Sequence, residues 1–282
     1  MRIVLISDTH LAASAGDFVS NAKAAIAWIN ETGPDLVVAL GDLSADGVKD
    51  PDHLMAAHET LSNIKVPVRY LPGNHDVGDN PGLASRRHLE PIVEAEALER
   101  YRRLFGPDYW SFTASGWTIL GLNAQLFGLN EFEEMTQWQW IEDRVAEQNG
   151  PIGLMLHKPL FNAYPNDGDH HHRYVPLEAR LRLLDLLREH DLRFVVSGHT
   201  HQARNLMYAG VEHVWTPSTA FIIPDYLQER IGEKVVGFIS LELTPQGHSF
   251  KPHVTPDMRP FQLDDYQDVY GALKTVVKPV NI

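Results

Sequence analysis

The chain of 282 residues contains no cysteine. Disulfides, thiolate metal sites and cysteine nucleophiles are excluded, although the redox compartment is not fixed by that alone. Any metal must be held by His, Asp, Glu or Asn, a donor set that suits Mn, Fe, Zn or Mg. Apolar runs never exceed strand length, so nothing reads as a bilayer-spanning helix. The opening MRIVLISDTH has one basic residue and a short apolar stretch, without the long apolar region or cleavage site of a secretory leader. A cytoplasmic location is the expectation. Positive charge is also scarce: 24 Lys and Arg stand against 37 Asp and Glu, a net charge of −13. So acidic a surface repels polynucleotides and anionic membranes unless a basic patch intervenes. The basic spots Arg86-Arg87 and Arg100, Arg102, Arg103 read as solvated helix faces. Neither nucleic acid nor membrane is an expected partner.

What is present is an ordinary globular composition, 44% apolar and 22% charged, with β-branched runs alternating with amphipathic stretches. Strands are expected at 3–6, 36–40, 66–71, 110–113, 117–122, 152–156 and 194–196. Helices are expected at 19–31, 51–61, 89–105, 136–148 and 177–190. After residue 200 only strands follow, near 203–208, 211–215, 235–243 and 249–254. This order predicts an α/β fold of two mixed β-sheets packed as a sandwich and flanked by helices. One domain is expected over 1–255. Residues 256–282, proline-flanked and polar-aromatic, read as a C-terminal tail packed on the domain or on a second subunit of a homo-oligomer.

Five strands end in the same kind of residue. They run into Asp8 and His10, into Asp42, into Gly73-Asn74-His75-Asp76, into His157, and into His199 and His201. Taken singly, each has a plain explanation: an Asp after a strand is a turn former, and a lone His is a hydrogen-bonded structural residue. Taken together, those explanations leave several polar groups at one buried strand edge without partners. Ligands of open α/β sheets bind outside the carboxyl ends of the strands, so a shared metal-binding edge is the better reading. If these segments are extended, residues i and i+2 face one side, with Cα atoms roughly 6–7 Å apart. That spacing is wide for one ion but suits two ions roughly 3.5–4 Å apart. His199 and His201 would then serve different ions.

The ordered set DTH at 8–10, GD at 41–42, GNHD at 73–76, HKP at 157–159 and GHTH at 198–201 resembles the signature of calcineurin-like metallophosphoesterases. Its compact form is most similar to class III cyclic nucleotide phosphodiesterases and their glycerophosphodiester-cleaving relatives. The resemblance implies one metal on Asp8, His10, Asp42 and His201, and a second on Asp42, Asn74, His157 and His199, with Asp42 bridging. It implies Mn²⁺ or Fe²⁺/Fe³⁺, with Zn²⁺ a further candidate. With a bridging hydroxide such a centre carries about +1 and attracts a phosphate anion despite the acidic surface. It also implies hydrolysis of a small phosphodiester by metal-bound hydroxide, with His75 as acid toward the leaving alkoxide and Asp76 orienting it. Asn74 and His75 would touch the substrate.

Further contacts are sought in the loop FNAYPNDGDHHHRY at 161–174, where His170, His171, His172 and Arg173 could meet a phosphate or base. Tyr164 or Phe161 would offer a stacking surface. DVGDNPG at 76–82 is a second candidate rim. A phosphomonoesterase would use the same metal core, and a non-catalytic metal-binding scaffold would be expected to lack some of these residues. His53, His58, His88, His190, His213, His248 and His253 have no motif around them and read as structural or surface residues.

Overall fold

The computed structural model describes residues 1–81, 91–148, 150–167 and 172–276. Two sheets form among them. The first has five strands in the order β11-β10-β1-β2-β3: β1 Arg2–Ile6, β2 Leu36–Ala39, β3 Val68–Tyr70, β10 Phe238–Thr244 and β11 Gly247–His253. The second has six, in the order β4-β5-β6-β7-β9-β8: β4 Trp110–Ala114, β5 Trp117–Leu122, β6 Ile152–Leu156, β7 Leu192–Ser197, β8 Arg204–Tyr208 and β9 Val211–Trp215. β1, β2 and β3 run parallel, as do β5, β6, β7 and β9; β10, β11, β4 and β8 add antiparallel edges. Both sheets are mixed, and the expected fold class holds.

Near-continuous apolar strands follow from burial on both faces. In β1, Ile3 and Leu5 join a core between the sheets, where Leu36, Val38, Ile119, Met155, Phe194 and Val196 meet them. Val4 and Ile6 point the other way, into a core shared with helices α1 Gly16–Thr32, α2 Pro51–Leu61 and α4 Ala95–Phe105. The alternation repeats in β6, where Ile152, Leu154 and Leu156 turn outward onto α5 Phe132–Ala146 and α6 Leu177–Arg188. Each fully buried aliphatic side chain contributes about 1.5–3 kcal/mol, so three stacked cores hold the strand ends in register.

Helix ends carry the usual determinants. Asp50 accepts from the Asp52 N–H with Pro51 in the first turn, and α1 stops at Gly33, whose φ of 53° favours glycine. The helix expected at 89–105 begins at Ala95; Ile92 instead makes a bridge with Asp79. Leu89 and Glu90, like Arg86, Arg87 and His88, lie outside the described residues. A one-turn helix, α3 Asn74–Val77, follows β3.

His213 on β9 is buried against the Phe161 ring, with 4.6 Å between centroids, and its Nε2 has no hydrogen-bond partner. Burial disfavours the imidazolium and lowers its pKa to about 4. Between pH 6.5 and 4 the unfolded chain therefore binds a proton that the folded chain refuses, and stability falls as pH drops through that window. The shift corresponds to about 3 kcal/mol. In urea denaturation at stepped pH, His213→Phe is expected to lose about 3 kcal/mol less than the parent between pH 6.5 and 4. Parallel curves would refute this.

Candidate metal centre

The carboxyl ends of β1, β2, β3, β6 and β7 converge on one edge of the sandwich. Asp8 and His10 follow β1, Asp42 follows β2, α3 carries Asn74 and His75 after β3, His157 follows β6, and His199 and His201 follow β7. The segments are sewn together by backbone hydrogen bonds from Asp8 N to Gly41 O, 3.0 Å, from His10 N to Asp42 O, 3.0 Å, and from Gly198 N to His157 O, 2.8 Å.

The extended geometry expected for DTH and HTH is not what forms. Asp8, His10, Asp42, His199 and His201 have φ of 52°, 44°, 50°, 65° and 53°. They are five of the eight non-glycine residues with positive φ among the described residues. Each such residue costs roughly 1–2 kcal/mol, and strain of this kind clusters at functional sites. Asp8 and His10 nevertheless fall in one ligand group. His199 and His201 do part company. Glycines admit this crowding. A Cβ on Gly73 would overlap the Asp42 carboxylate, and one on Gly198 would overlap Ser7 Oγ.

Two three-residue groups result, each with ligand atoms within 4.8 Å of one another: Asp8, His10 and His201, and Asp42, His157 and His199. A third group, His10, Asp42 and His75, overlaps both. Asp42 sits between them. Its Oδ2 lies 3.3 Å from His157 Nε2 and 3.8 Å from His10 Nε2, while Oδ1 accepts the His75 N–H at 2.9 Å. Asp8 is divided likewise. Oδ2 accepts from Ser7 Oγ, 2.5 Å, and from the His199 N–H, 3.0 Å, leaving Oδ1 3.3 Å from His201 Nε2.

The remaining imidazole nitrogens are held from outside. His157 Nδ1 donates to Leu40 O, 2.8 Å, and His201 Nδ1 to Phe221 O, 3.2 Å. His10 Nε2 approaches His201 Nε2 to 3.1 Å, and His199 Nδ1 approaches His157 Nε2 to 3.1 Å. A cation bound between such facing nitrogens would take a lone pair from each in place of a shared proton.

The residues fit divalent metal. Asp8 Oδ1 and Asn74 Oδ1 are buried with no hydrogen-bond partner, a costly condition unless a ligand satisfies them. The donors are carboxylate, amide oxygen and imidazole, which suit Mn, Fe or Zn. Electrostatics agree for two of the imidazoles, His10 and His199, whereas His157 holds a proton that a cation would have to displace. Burial lowers the pKa of His10, and the charges of His75 and His201 push the same way; for His199 burial and then His157 do so. Both rings are kept neutral, the form that ligates. Burial opposes the charged form of Asp42, but the charges of His157 and His75 outweigh it and hold the carboxyl well below the usual range. Burial likewise opposes protonation of His157, yet the Asp42 charge and hydrogen bond raise it to about 9.

A cavity of about 370 Å³ opens over these residues, within the range of small-molecule sites. His10, Asp42, Asn74, His75, His199 and His201 line its floor; Lys49, His172 and Arg173 line one side. Ile223, Leu227, Leu263, Val269 and Leu273 supply apolar surface. The last three come from the C-terminal segment, which packs on its own chain through Phe261, Leu263, Tyr266, Val269 and Tyr270 against Phe18 and Phe221.

Not every expected contact is here. Tyr164 is exposed, its ring 6.3 Å from that of Tyr208, and it does not line the cavity. The Asp167 carboxylate accepts from the backbone of Asn162, Ala163 and Tyr164, and Arg180 donates to the carbonyls of Leu160, Pro165 and Asp167. Those bonds close the loop on itself and turn Tyr164 outward. His170 and His171 lie outside the described residues.

Asp76 does not orient His75. Its carboxylate accepts from the N–H groups of Leu43, Ser44 and Gly73 and from Ser44 Oγ, at 2.7–3.0 Å, and so staples the Asp42 turn to α3. Asp79 and Asn80, expected on a rim, turn inward to the buried Lys158. Tyr270, whose hydroxyl lies 2.8 Å from His10 Nδ1, had no motif around it to find it by.

A model of the calcineurin-like phosphoesterase family matches residues 1–203. The 3′,5′-cyclic adenosine monophosphate phosphodiesterase CpdA of Escherichia coli (strain K12) is 27% identical over 298 residues, covering 96% of this chain and 95% of that protein. A probable cyclic nucleotide phosphodiesterase of Psychrobacter sp. (strain PRwf-1) is 27% identical over 195 residues, 66% of this chain, and the chain spans about half of that relative, 52%. Among solved structures, a dimetal phosphatase from Danio rerio shares the fold with a TM-score of 0.61 at 14% identity, covering 89% of this chain and 95% of that one. With a family match over most of its length and the ligand-bearing strand ends converging as described, the chain belongs to the calcineurin-like phosphoesterase family and is a hydrolase acting on phosphate esters.

Proposed function

We propose that the protein is a dinuclear metal-dependent phosphodiesterase acting on a small diester of the cyclic nucleotide or glycerophosphodiester type. The observation that carries this reading is Asp42 Oδ2, poised between two His-rich clusters on the floor of a cavity with an apolar wall. Asp8, His10, Asp42 and His201 hold one cation; Asp42, Asn74, His157 and His199 hold the other. Mn²⁺ or Fe suits this nitrogen and oxygen donor set. When bound, two such ions supply an activated water and neutralise the phosphoryl oxygens.

The chain's own groups do the rest. The Asn74 side chain and the His75 ring border the cavity floor and orient the phosphoryl group. His75 is anchored through its N–H to Asp42 Oδ1 and stands edge-on to His10, 4.8 Å between centroids. From there it gives a proton to the departing alkoxide. The Ile223, Leu227 and Leu263 side chains accept an esterified organic group, which a diester carries on both sides of phosphorus. The resemblance to CpdA along nearly the whole of both chains supports the diester over the monoester.

The test is steady-state hydrolysis by metal-stripped protein reconstituted with Mn²⁺. Bis(p-nitrophenyl) phosphate is expected to exceed p-nitrophenyl phosphate in kcat/KM by at least about tenfold, about 1.4 kcal/mol in the transition state. Cyclic AMP and glycerophosphodiesters are then compared. Preference for the monoester would replace this reading with a phosphomonoesterase.

A further inference from the structure

Three imidazoles at the centre present one nitrogen inward and the other to a partner outside. For His157 and His201 the partner is a backbone carbonyl, Leu40 O and Phe221 O. For His10 it is a side chain from the far end of the sequence: Tyr270 Oη lies 2.8 Å from His10 Nδ1. The inward nitrogen of His10 is Nε2, 3.1 Å from His201 Nε2 and 3.8 Å from Asp42 Oδ2. A neutral His10 that offers Nε2 to a cation carries its proton on Nδ1, and Tyr270 Oη accepts it.

Tyr270 is held there independently of His10. Its ring packs 5.9 Å from Phe221 and 6.0 Å from His75 between centroids. Nearby, Tyr266 Oη donates to Asp17, 2.8 Å, and the chain at 261–263 exchanges hydrogen bonds with Ile222. Leu263, Val269 and Leu273 of the same segment line the cavity. Metal-ligating histidines depend on such outer partners, whose loss weakens metal binding by about 10–100-fold. For His10 that outer partner is a hydroxyl 260 residues away in the chain.

We propose that Tyr270 is a positioning residue that fixes the tautomer and orientation of His10 and thereby tightens cation binding at the Asp8, His10 and His201 site. This rests on the two-cation reading above. The same segment supplies both the outer partner of His10 and part of the apolar wall.

The test is Mn²⁺ titration of the metal-stripped protein by calorimetry, for the parent, Tyr270→Phe and Tyr266→Phe. Tyr270→Phe keeps the ring and removes only the hydroxyl, and the thermal midpoint of the metal-stripped protein is the check on folding. The parent is expected to bind two ions. In Tyr270→Phe one of the two sites is expected to weaken about 10–100-fold with the other unchanged, while Tyr266→Phe, which loses the bond to Asp17 instead, keeps both. Two sites of parental affinity in Tyr270→Phe would overturn the proposal. So would weakening shared equally by both sites or by both variants, because the effect would then not come from the Tyr270 hydroxyl on His10. A parent that does not bind two ions would overturn the two-cation reading itself.

Discussion

Asp42→Asn is expected to abolish measurable phosphodiester hydrolysis and to reduce bound Mn²⁺ from two ions per chain to at most one. The Asp42 carboxylate is buried and is the group shared by the two proposed cation sites, with Oδ2 3.3 Å from His157 and 3.8 Å from His10. An amide at this position still accepts the His75 N–H through its oxygen, so the turn survives. What disappears is the negative charge that compensates the surrounding imidazoles and any cations. Removing one partner of a buried charge pair costs about 3–5 kcal/mol, or about 10²–10⁴ in occupancy. Metal analysis after dialysis reads the stoichiometry, and circular dichroism confirms the fold. Retention of two ions together with activity within tenfold of the parent would show that Asp42 does not bridge.

His75→Asn is expected to act differently. It should leave two ions bound and lower turnover of an alkoxide-releasing substrate such as cyclic AMP by about 10²–10⁴. With bis(p-nitrophenyl) phosphate the loss should be less than tenfold, because p-nitrophenolate departs without a proton. The contrast matters because His75 also stands within reach of His10 and Asp42 as a possible ligand. A ligand role would remove metal and slow both substrates alike; an acid role spares metal and discriminates between leaving groups. Equal losses on both substrates would refute the acid role.

The architecture was legible in the sequence because apolar runs of strand length alternate with amphipathic helices, and double-sided burial demands that pattern in β1, β2, β6 and β7. The candidate ligands were legible for a different reason: Asp, Asn and His recur directly after those strands, where parallel sheets expose their carboxyl ends. Local backbone was not. Nothing in DTH or HTH announces left-handed residues, which are imposed by packing around Gly41, Gly73 and Gly198 and by the strain that an active centre tolerates. Adjacency in sequence suggested that Asp76 partners His75, whereas its buried carboxylate collects nearby backbone donors. Tyr164 was expected to stack as an aromatic near the site, and the Asp167 and Arg180 contacts that fold its loop are not periodic and so not legible in the sequence. Tyr270 was invisible because its partner is 260 residues away in the chain.

Anomalous diffraction from crystals of the Mn²⁺-reconstituted protein addresses the two-cation centre most directly. Two peaks are expected, roughly 3.5–4 Å apart, astride Asp42 Oδ2, one facing His10 and His201 and the other facing His157 and His199. A single ion, or ions bound away from Asp42, would contradict a dinuclear centre and with it the proposed phosphodiesterase.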